Sequence, residues 1–286
     1  MKYRFIQDHR CPFSVTKRCD VLQVSRSGFY AWCDRPVSPT RARRQTRIAQ
    51  IQAVFEQSSR RYGSPKITAQ LRRVGDRISR QTVARLMAQH GWRSRVVRRY
   101  KATTNSRHPF PVADNVLAQQ FVATQPHPVW MAAIPDVPTG EGWLSGASLE
   151  DLYPRKIGGG AAGARMTQDR VLAALDQAVR RYRPAAGVLH HSDRGSHYAG
   201  HAYQARLARY HMTGSMSRQG NCWDNACIES WHSLLKTECV YRHHFRTRAE
   251  ATATIFEYIE IFDNRQRLQG ALGYRTPAEV EAESIA

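Results

Sequence analysis

From residue 128 onward the sequence changes texture in a way that leaves few folds open. Residues 129–137, VWMAAIPDV, and 142–149, GWLSGASL, read as two strands joined by the hairpin turn PTGEG. A third strand is expected over 153–159, where Gly158, Gly159 and Gly160 would weaken it. Thr167 caps a helix that turns Val171, Leu172, Leu175 and Val179 inward, and 184–187 lead into the short strand VLHHSD, ending at Asp193. A helix over 197–210, a strand at TGSMS, a loop RQGNCWDNA and a helix through Glu229 follow. The last long helix opens on the capping box of Thr247 and Glu250 and buries Ile255, Phe256, Ile259 and Phe262. Three antiparallel strands, then helices alternating with two more strands, predict an α/β fold: a mixed five-stranded sheet covered by helices.

The front third is all-α and strongly basic. Residues 14–33 split into two helices, with Ser25 as N-cap of the second. Residues 65–92 repeat the plan: Pro65 opens a helix, Gly75 and Asp76 break it, and Ser79 caps the next, whose Val83, Leu86 and Met87 share an apolar face. VSRSGFYAW and ISRQTVARL are one device used twice, and a helix that starts Ser25-Arg26 or Ser79-Arg80 offers free N–H groups and a guanidinium to phosphate or base edges. Two packed helical hairpins with no ligand would show the same pattern. The charge tips the balance toward DNA, because Arg41 to Lys101 hold seventeen Lys and Arg against two acids, Glu56 and Asp76. A helix over 41–58 separates the two units, and the basic run with Arg95, Arg98 and Arg99 passes into a Pro- and Asn-containing linker. The expected domains are therefore 1–42, a first helix-turn-helix; 43–100, a second; 101–125, a linker; and 126–286, the α/β core.

A formal net charge of +20 implies a polyanionic partner, with nucleic acid ahead of an anionic membrane. No apolar run reaches membrane-span length and the first ten residues lack a signal-peptide core, so an intracellular, cytoplasmic place is expected. The six cysteines include no Cys-x-x-Cys, and His9, Cys11, Cys19 and Cys33 fit no common zinc spacing. Reduced structural thiols are expected.

Two acids stand in settings that suit chemistry. Asp193 ends a strand, where α/β sheets build ligand sites, although an Asp there also serves as a turn residue. Glu229, His232, Ser233 and Lys236 share one helical face, which taken alone reads equally as a solvated stripe. Thirty-five residues separate the two acids, inside HHSDRGSHYAG and SMSRQGNCWDNACIESWHSLLKTE. With these motifs, and with VSRSGFYAW, RYGSPKI, PTGEGWL, DLYPRKI and NRQRLQGALGYRTPAEV in order, the chain resembles the OrfB-type transposases of bacterial insertion sequences, relatives of retroviral integrases.

That resemblance implies an RNase H-like integrase core in which three carboxylates (DDE) hold two divalent metals, Mg²⁺ or Mn²⁺, for in-line displacement at phosphorus. By position Asp193 is the second acid and Glu229 the third, both catalytic and metal-binding, and Lys236 matches a DNA-contacting position. The front units would bind the element's terminal inverted repeats as double-stranded DNA, in a multimer on paired ends and near the nucleoid. The family's active form is often a fusion with an upstream OrfA segment; this chain starts at Met1 without one, so that segment's functions are expected from a partner.

The first acid is expected three residues after Trp130, where Ala133 stands. Asp136 lies three residues late and faces the other side of the strand unless Pro135 introduces a bulge. Asp151 is expected to shape the turn after the second strand. Ser145, Gly146, the three glycines and Asp263 also depart from the family pattern and look like decay of the core packing. Two readings follow: a DDE transposase that cleaves and joins DNA, or a catalytically inactive derivative that occupies inverted-repeat DNA as a regulator. A ribonuclease of the RNase H type is disfavoured by the two DNA-reading units.

Overall fold

The computed structural model describes residues 1–9, 13–35, 38–94 and 109–284; Arg95, Arg98, Arg99, Cys11 and the start of the linker lie outside them. Two compact units divide the chain, Met1–Gln57 and Ser58–Ala286. The first holds α1 (Lys2–Asp8), α2 (Val15–Val21), α3 (Arg26–Cys33) and α4 (Pro39–Gln57). Ile6, Cys19 and Phe29 form a small core there. The Ser25 hydroxyl caps α3 by accepting from the Gly28 N–H at 2.8 Å.

The second unit opens with α5 (Ser64–Arg73) and α6 (Arg80–Gln89), which bury Ile67, Leu71, Val83, Leu86 and Met87 between them. Ser79 caps α6 through the Thr82 N–H at 3.2 Å. The sheet follows, with β1 (Val129–Ala133), β2 (Asp136–Thr139), β3 (Gly142–Asp151), β4 (Lys156–Gly163), β5 (Leu189–Ser192) and β6 (Thr213–Met216). Between and after these strands come α7 (Gln168–Tyr182), α8 (Ser196–Ala199), α9 (His201–Arg209), α10 (Ala226–Glu238), α11 (Arg248–Glu257) and α12 (Pro277–Glu283).

Six strands fill five positions in the sheet. β3 pairs antiparallel with β4 along one side and with β1 and then β2 along the other, while β1, β5 and β6 run parallel. What reads as one strand over 129–137 is two, interrupted at Ile134 and Pro135 because proline has no N–H for the ladder. The interruption adds no residue to the register: Ala133 faces Ser148 and Asp136 faces Ser145. The sequence expectation also began β4 three residues early, since Tyr153 to Arg155 form a turn, and it joined α8 to α9 across the break at Gly200.

Helices cover both faces. Trp130, Ala132 and Leu149 pack on Val171, Ala174 and Leu175 of α7 and on Tyr203 and Leu207 of α9. Met131 packs on the other face with Leu117, Leu152 and Ile228 of α10. Two of the glycines read as decay are in fact occupied positions. A Cβ at Gly158 would lie 1.9 Å from the Tyr182 ring, and one at Gly159 would lie 2.3 Å from the Ala174 carbonyl, so their bareness lets α7 approach β4. Gly146 meets nothing closer than 3.8 Å, beside a cavity of about 140 Å³ reaching Trp231, Leu235 and Ile255. α11 runs into a π-helical turn, Tyr258–Asp263, with Tyr258 and Phe262 buried, and Phe256 of α11 is 62% exposed, contrary to the expected buried face: it stands five residues past the buried Ala251, off the inward side.

Asp263 is tied into the core through one oxygen: fully buried, its Oδ2 accepts from Trp231 Nε1 at 2.8 Å, while Oδ1, 3.6 Å from Arg267 Nε, makes no hydrogen bond, and burial pushes the carboxyl up. Glu150 is a second buried acid of this kind. It is 3% exposed, on the α10 face of β3, with one carboxylate oxygen lacking a hydrogen bond. Burial, opposed by Arg155 and reinforced by Asp263 and Asp151, pushes its carboxyl from 4.5 up to about 7.

Two outcomes test this packing. Gly146→Ala raises stability in urea melts by about 0.5–1 kcal/mol through reduced unfolded-state freedom, whereas Gly158→Ala lowers it by about 1–3 kcal/mol by displacing Tyr182. For Glu150 the folded-state value lies above the unfolded one, so the penalty is absent below pH 4.5 and grows as pH rises through 7. Glu150→Gln removes this loss, worth roughly 3 kcal/mol at pH 8, and flattens the pH dependence of the urea midpoint between pH 5 and 8.

Candidate active site

The parallel pairing of β1 with β5 sets the site. Trp130, Met131 and Ala132 lie opposite His190, His191 and Ser192, so the next residue of each strand, Ala133 and Asp193, emerges at the same sheet edge. β5 is anchored from both faces. His190 Nε2 and the Tyr203 hydroxyl are 2.9 Å apart, and His191 Nδ1 lies 2.8 Å from Ser215 Oγ. Burial pushes these imidazoles down to about 3 and about 4, so both are neutral. At the strand end Asp193 Oδ1 accepts from the Gly195 N–H at 2.8 Å, a turn that fixes one carboxylate oxygen.

Glu229 occupies the first turn of α10 and is half-buried. Burial, and then the neighbouring Asp193 carboxylate, hold its carboxyl above the ordinary range. The two acids singled out in the sequence are thus electrostatic neighbours. Ala133 belongs with them: it is half-buried on the sheet face that meets Ile228 and Cys227 of α10. Its cross-strand partner Ser148 donates to the Ala133 carbonyl at 3.3 Å and lies 3.0 Å from His232 Nε2, one helical turn past Glu229. Burial, with Lys236 close by, pushes the His232 imidazole down to about 3. Lys236 is half-buried one further turn along α10.

Neither spare acid reaches this edge. Asp136 shares an unbroken register with Ala133 at an offset of three, which turns its side chain to the opposite face. It is exposed and accepts from Ser145 Oγ at 2.6 Å. Asp151 lies opposite Trp130, at the far end of β1, buried against His127 Nδ1 and the Tyr153 N–H. Among the described residues no group of three His, Cys, Asp or Glu is placed to hold a metal ion. The carboxylates at this edge are those of Asp193 and Glu229, with Ala133 beside them on the neighbouring strand.

One positioning residue escaped the sequence reading. Asp224 is fully buried and takes hydrogen bonds from the Arg218 N–H and guanidinium, Asn115 Nδ2 and Gln119 Nε2. The Arg218 guanidinium holds its carboxyl well below the usual range. This carboxylate ties the loop before α10 to 115–119 and so sets where Glu229 begins its helix. Its only sequence signal is a loop acid six residues after an arginine. Of the proposed DNA contacts, Ser25, Arg26, Ser79 and Arg80 are exposed at the N-termini of α3 and α6.

The sequence matches known families in both parts of the chain. The HTH-like domain family matches residues 42–100, and the integrase core domain family matches 123–222 and 229–285. The chain is 38% identical over 288 residues to the transposase InsF for insertion sequence IS3A of Escherichia coli strain K12, covering 100% of both. It is 41% identical over 265 residues to an uncharacterized 31 kDa protein of insertion element IS600 from Shigella sonnei, covering 91% of this chain and 96% of that one. Solved structures with a similar chain include the simian T-cell lymphotropic virus intasome in complex with PP2A regulatory subunit B56 gamma, at TM-score 0.47 and 12% identity over 80% of this chain and 73% of that one. The HTLV-2 integrase catalytic core domain in complex with magnesium, trimeric form, gives TM-score 0.44 and 10% identity over 56% and 99%. The fold is the one expected: an α/β integrase core preceded by an all-α helix-turn-helix region.

The crowding of carboxylates carries its own test. Because the folded state holds Glu229 above its unfolded value, the ionised group costs stability at neutral pH, and the cost vanishes as pH falls through the folded value. Glu229→Gln therefore raises the melting temperature at pH 7.5, and the gain shrinks toward pH 4.

Proposed function

The chain belongs to the IS3 family of insertion-sequence transposases, and on that premise we propose that this copy binds DNA as its relatives do but cleaves and joins it poorly or not at all. Divalent-metal dependence goes with the integrase core; the weak point of this copy is the donor set for that metal. The observation that carries the reading is Ala133, a methyl group at the sheet edge where Asp193 and Glu229 present their carboxylates. Two hard cations need more anionic oxygen than two side chains supply.

The division of labour follows the motifs. The helix-turn-helix units, 1–42 and 43–100, hold the inverted repeats through Ser25, Arg26, Ser79 and Arg80, helped by the basic run with Arg95, Arg98 and Arg99. The linker, 101–125, leads into the core, 126–286, whose Asp193 and Glu229 are the catalytic and metal-binding acids and whose Lys236 meets the DNA. Mg²⁺ or Mn²⁺ is the ion this chemistry takes. Multimer assembly on paired ends, an OrfA partner and a place on the nucleoid belong to the same reading. No helix among the described residues is long and apolar enough to cross a membrane.

The test restores the acid. Labelled duplexes carrying the element ends are incubated with the chain and with Ala133→Asp, in Mg²⁺ or Mn²⁺. Both bind, and the variant nicks at least about 100-fold faster, since even residues that only orient a metal ligand are worth roughly 10- to 100-fold. Metal-dependent nicking by the unmodified chain at the rate of the variant would overturn the reading.

A further inference from the structure

A pocket of about 330 Å³ opens beside the second helix-turn-helix, lined by Thr68, Arg72 and Arg73 of α5, Arg80 of α6, and Tyr274 and Arg275 from a turn 200 residues later. Among the described residues no acidic side chain lines it. Two of its four guanidiniums are already committed from behind: Arg73 pairs with Glu279 of α12, and Arg275 with Glu283. These exposed pairs contribute little to stability, but they hold the two guanidiniums in place. Arg72 spends only its Nε, on the Ile78 carbonyl at 3.1 Å, and Arg80 stands exposed at the first position of α6. The pocket is thus concave, rich in fork-shaped donors and short of negative charge.

The turn that supplies its far wall is strained. Gly273 and Tyr274 both adopt left-handed backbone, with φ of 65° and 61°. Glycine takes this conformation freely and tyrosine does not. The Tyr274 N–H donates to the Gln269 carbonyl at 2.9 Å, and the Gln269 N–H to the Arg275 carbonyl at 3.0 Å, closing the turn around the strained residue. A strained aromatic residue that lines an arginine pocket is a feature that folding alone does not require.

We propose that Arg72, Arg73, Tyr274 and Arg275 form, with Arg80, a seat for a DNA backbone phosphate, so that the C-terminal turn and the helix-turn-helix grip one strand together. Guanidinium forks match phosphate oxygens in pairs, and the Tyr274 hydroxyl adds a neutral donor. Arg80 opens α6, whose N-terminus is the end presented to a duplex, so a strand crossing it meets the pocket next. The seat takes no part in base reading; it sets how the duplex lies relative to the core. The proposal rests on the DNA-binding reading above and extends it to residues outside the helix-turn-helix.

The experiment measures duplex affinity of the full chain across a salt series for Arg275→Gln, Arg275→Lys, Tyr274→Gly and the double variant Arg80→Gln with Arg275→Gln. Arg275→Gln loses about tenfold in affinity at every sequence and lowers the salt slope by about one. Arg275→Lys keeps the charge and most of the affinity. Tyr274→Gly melts at a higher temperature yet binds DNA more weakly, opposite directions that a merely structural role would not produce. Arg80→Gln and Arg275→Gln are less than additive, as partners on one phosphate are, while Arg26→Gln adds independently to Arg275→Gln. Salt-dependent binding by the unmodified chain with no change in Arg275→Gln overturns the phosphate seat alone. Salt-independent binding by the unmodified chain overturns the DNA-binding reading and the seat with it. Saturable micromolar binding of ATP or pyrophosphate that is lost in Arg275→Gln reassigns the pocket to a small anion and overturns the DNA seat.

Discussion

The parallel ladder between β1 and β5 is the constraint from which the functional half of the molecule follows. Two strands running the same way end at the same edge, so any residue just past Ala132 and any residue just past Ser192 must emerge together. Beside the ladder stand two buried neutral imidazoles, each bonded to a hydroxyl through one ring nitrogen, which introduce no charge beneath the site. β3 then pairs with the other side of β1, and its Ser148 reaches across to His232 of α10. The edge of the sheet and the start of α10 are thereby brought to one place, with Asp224 fixing the loop between them.

A second, buried network relates that place to α5 and α6, in the part of the chain that the HTH-like domain family matches. Arg267 donates to both oxygens of Glu238 at the end of α10, and the Tyr258 hydroxyl donates to the same carboxylate at 3.0 Å. Breaking such a pair by removing one partner typically costs about 3–5 kcal/mol, because a charge is left buried alone. On either side of Arg267, the Tyr62 hydroxyl donates to the Gln266 carbonyl at 3.1 Å and accepts from the Leu268 N–H at 3.0 Å. Tyr62 immediately precedes α5. The short stretch 266–268 therefore ties the helix-turn-helix of the second unit to the helix that carries Glu229. The position of α5 and α6 with respect to Glu229 is thus set by buried hydrogen bonds.

Much of this was legible in the sequence because it rests on local rules. Ser25 and Ser79 cap their helices as hydroxyls do, the PTGEG hairpin sets the β2–β3 register, and Asp193 ends its strand at a Gly-assisted turn. What was not legible depends on contacts distant in sequence. Gly158 and Gly159 read as gaps until Tyr182 and Ala174 are seen to fill them. Asp263 reads as an error in an apolar face until the Trp231 indole is found bonded to it. Glu150 sits in an apolar strand with no periodic signal to distinguish a buried acid from an edge residue, and the arginine pocket joins residues 200 positions apart. The π-helical turn that follows α11 has no counterpart in a 3.6-residue pattern.

The substitution at the sheet edge also has an energetic direction of its own. Asp193 already raises the Glu229 carboxyl, so a third acid between them would be a like charge added to a repelling pair. Without a bound cation, three converging carboxylates are a cost to the folded state, and only the demand for metal keeps them together. Ala133 removes that cost and packs against the cluster that holds Met131 and Ile228. Folding by itself therefore favours alanine there, whereas it favours retaining Trp130, Met131 and Ala132, which are almost wholly buried. The capped helices, the Arg267–Glu238 network and the arginine-lined pocket are independent of the missing acid. Losing the first acid therefore leaves every structural reason to fold around the other two in place.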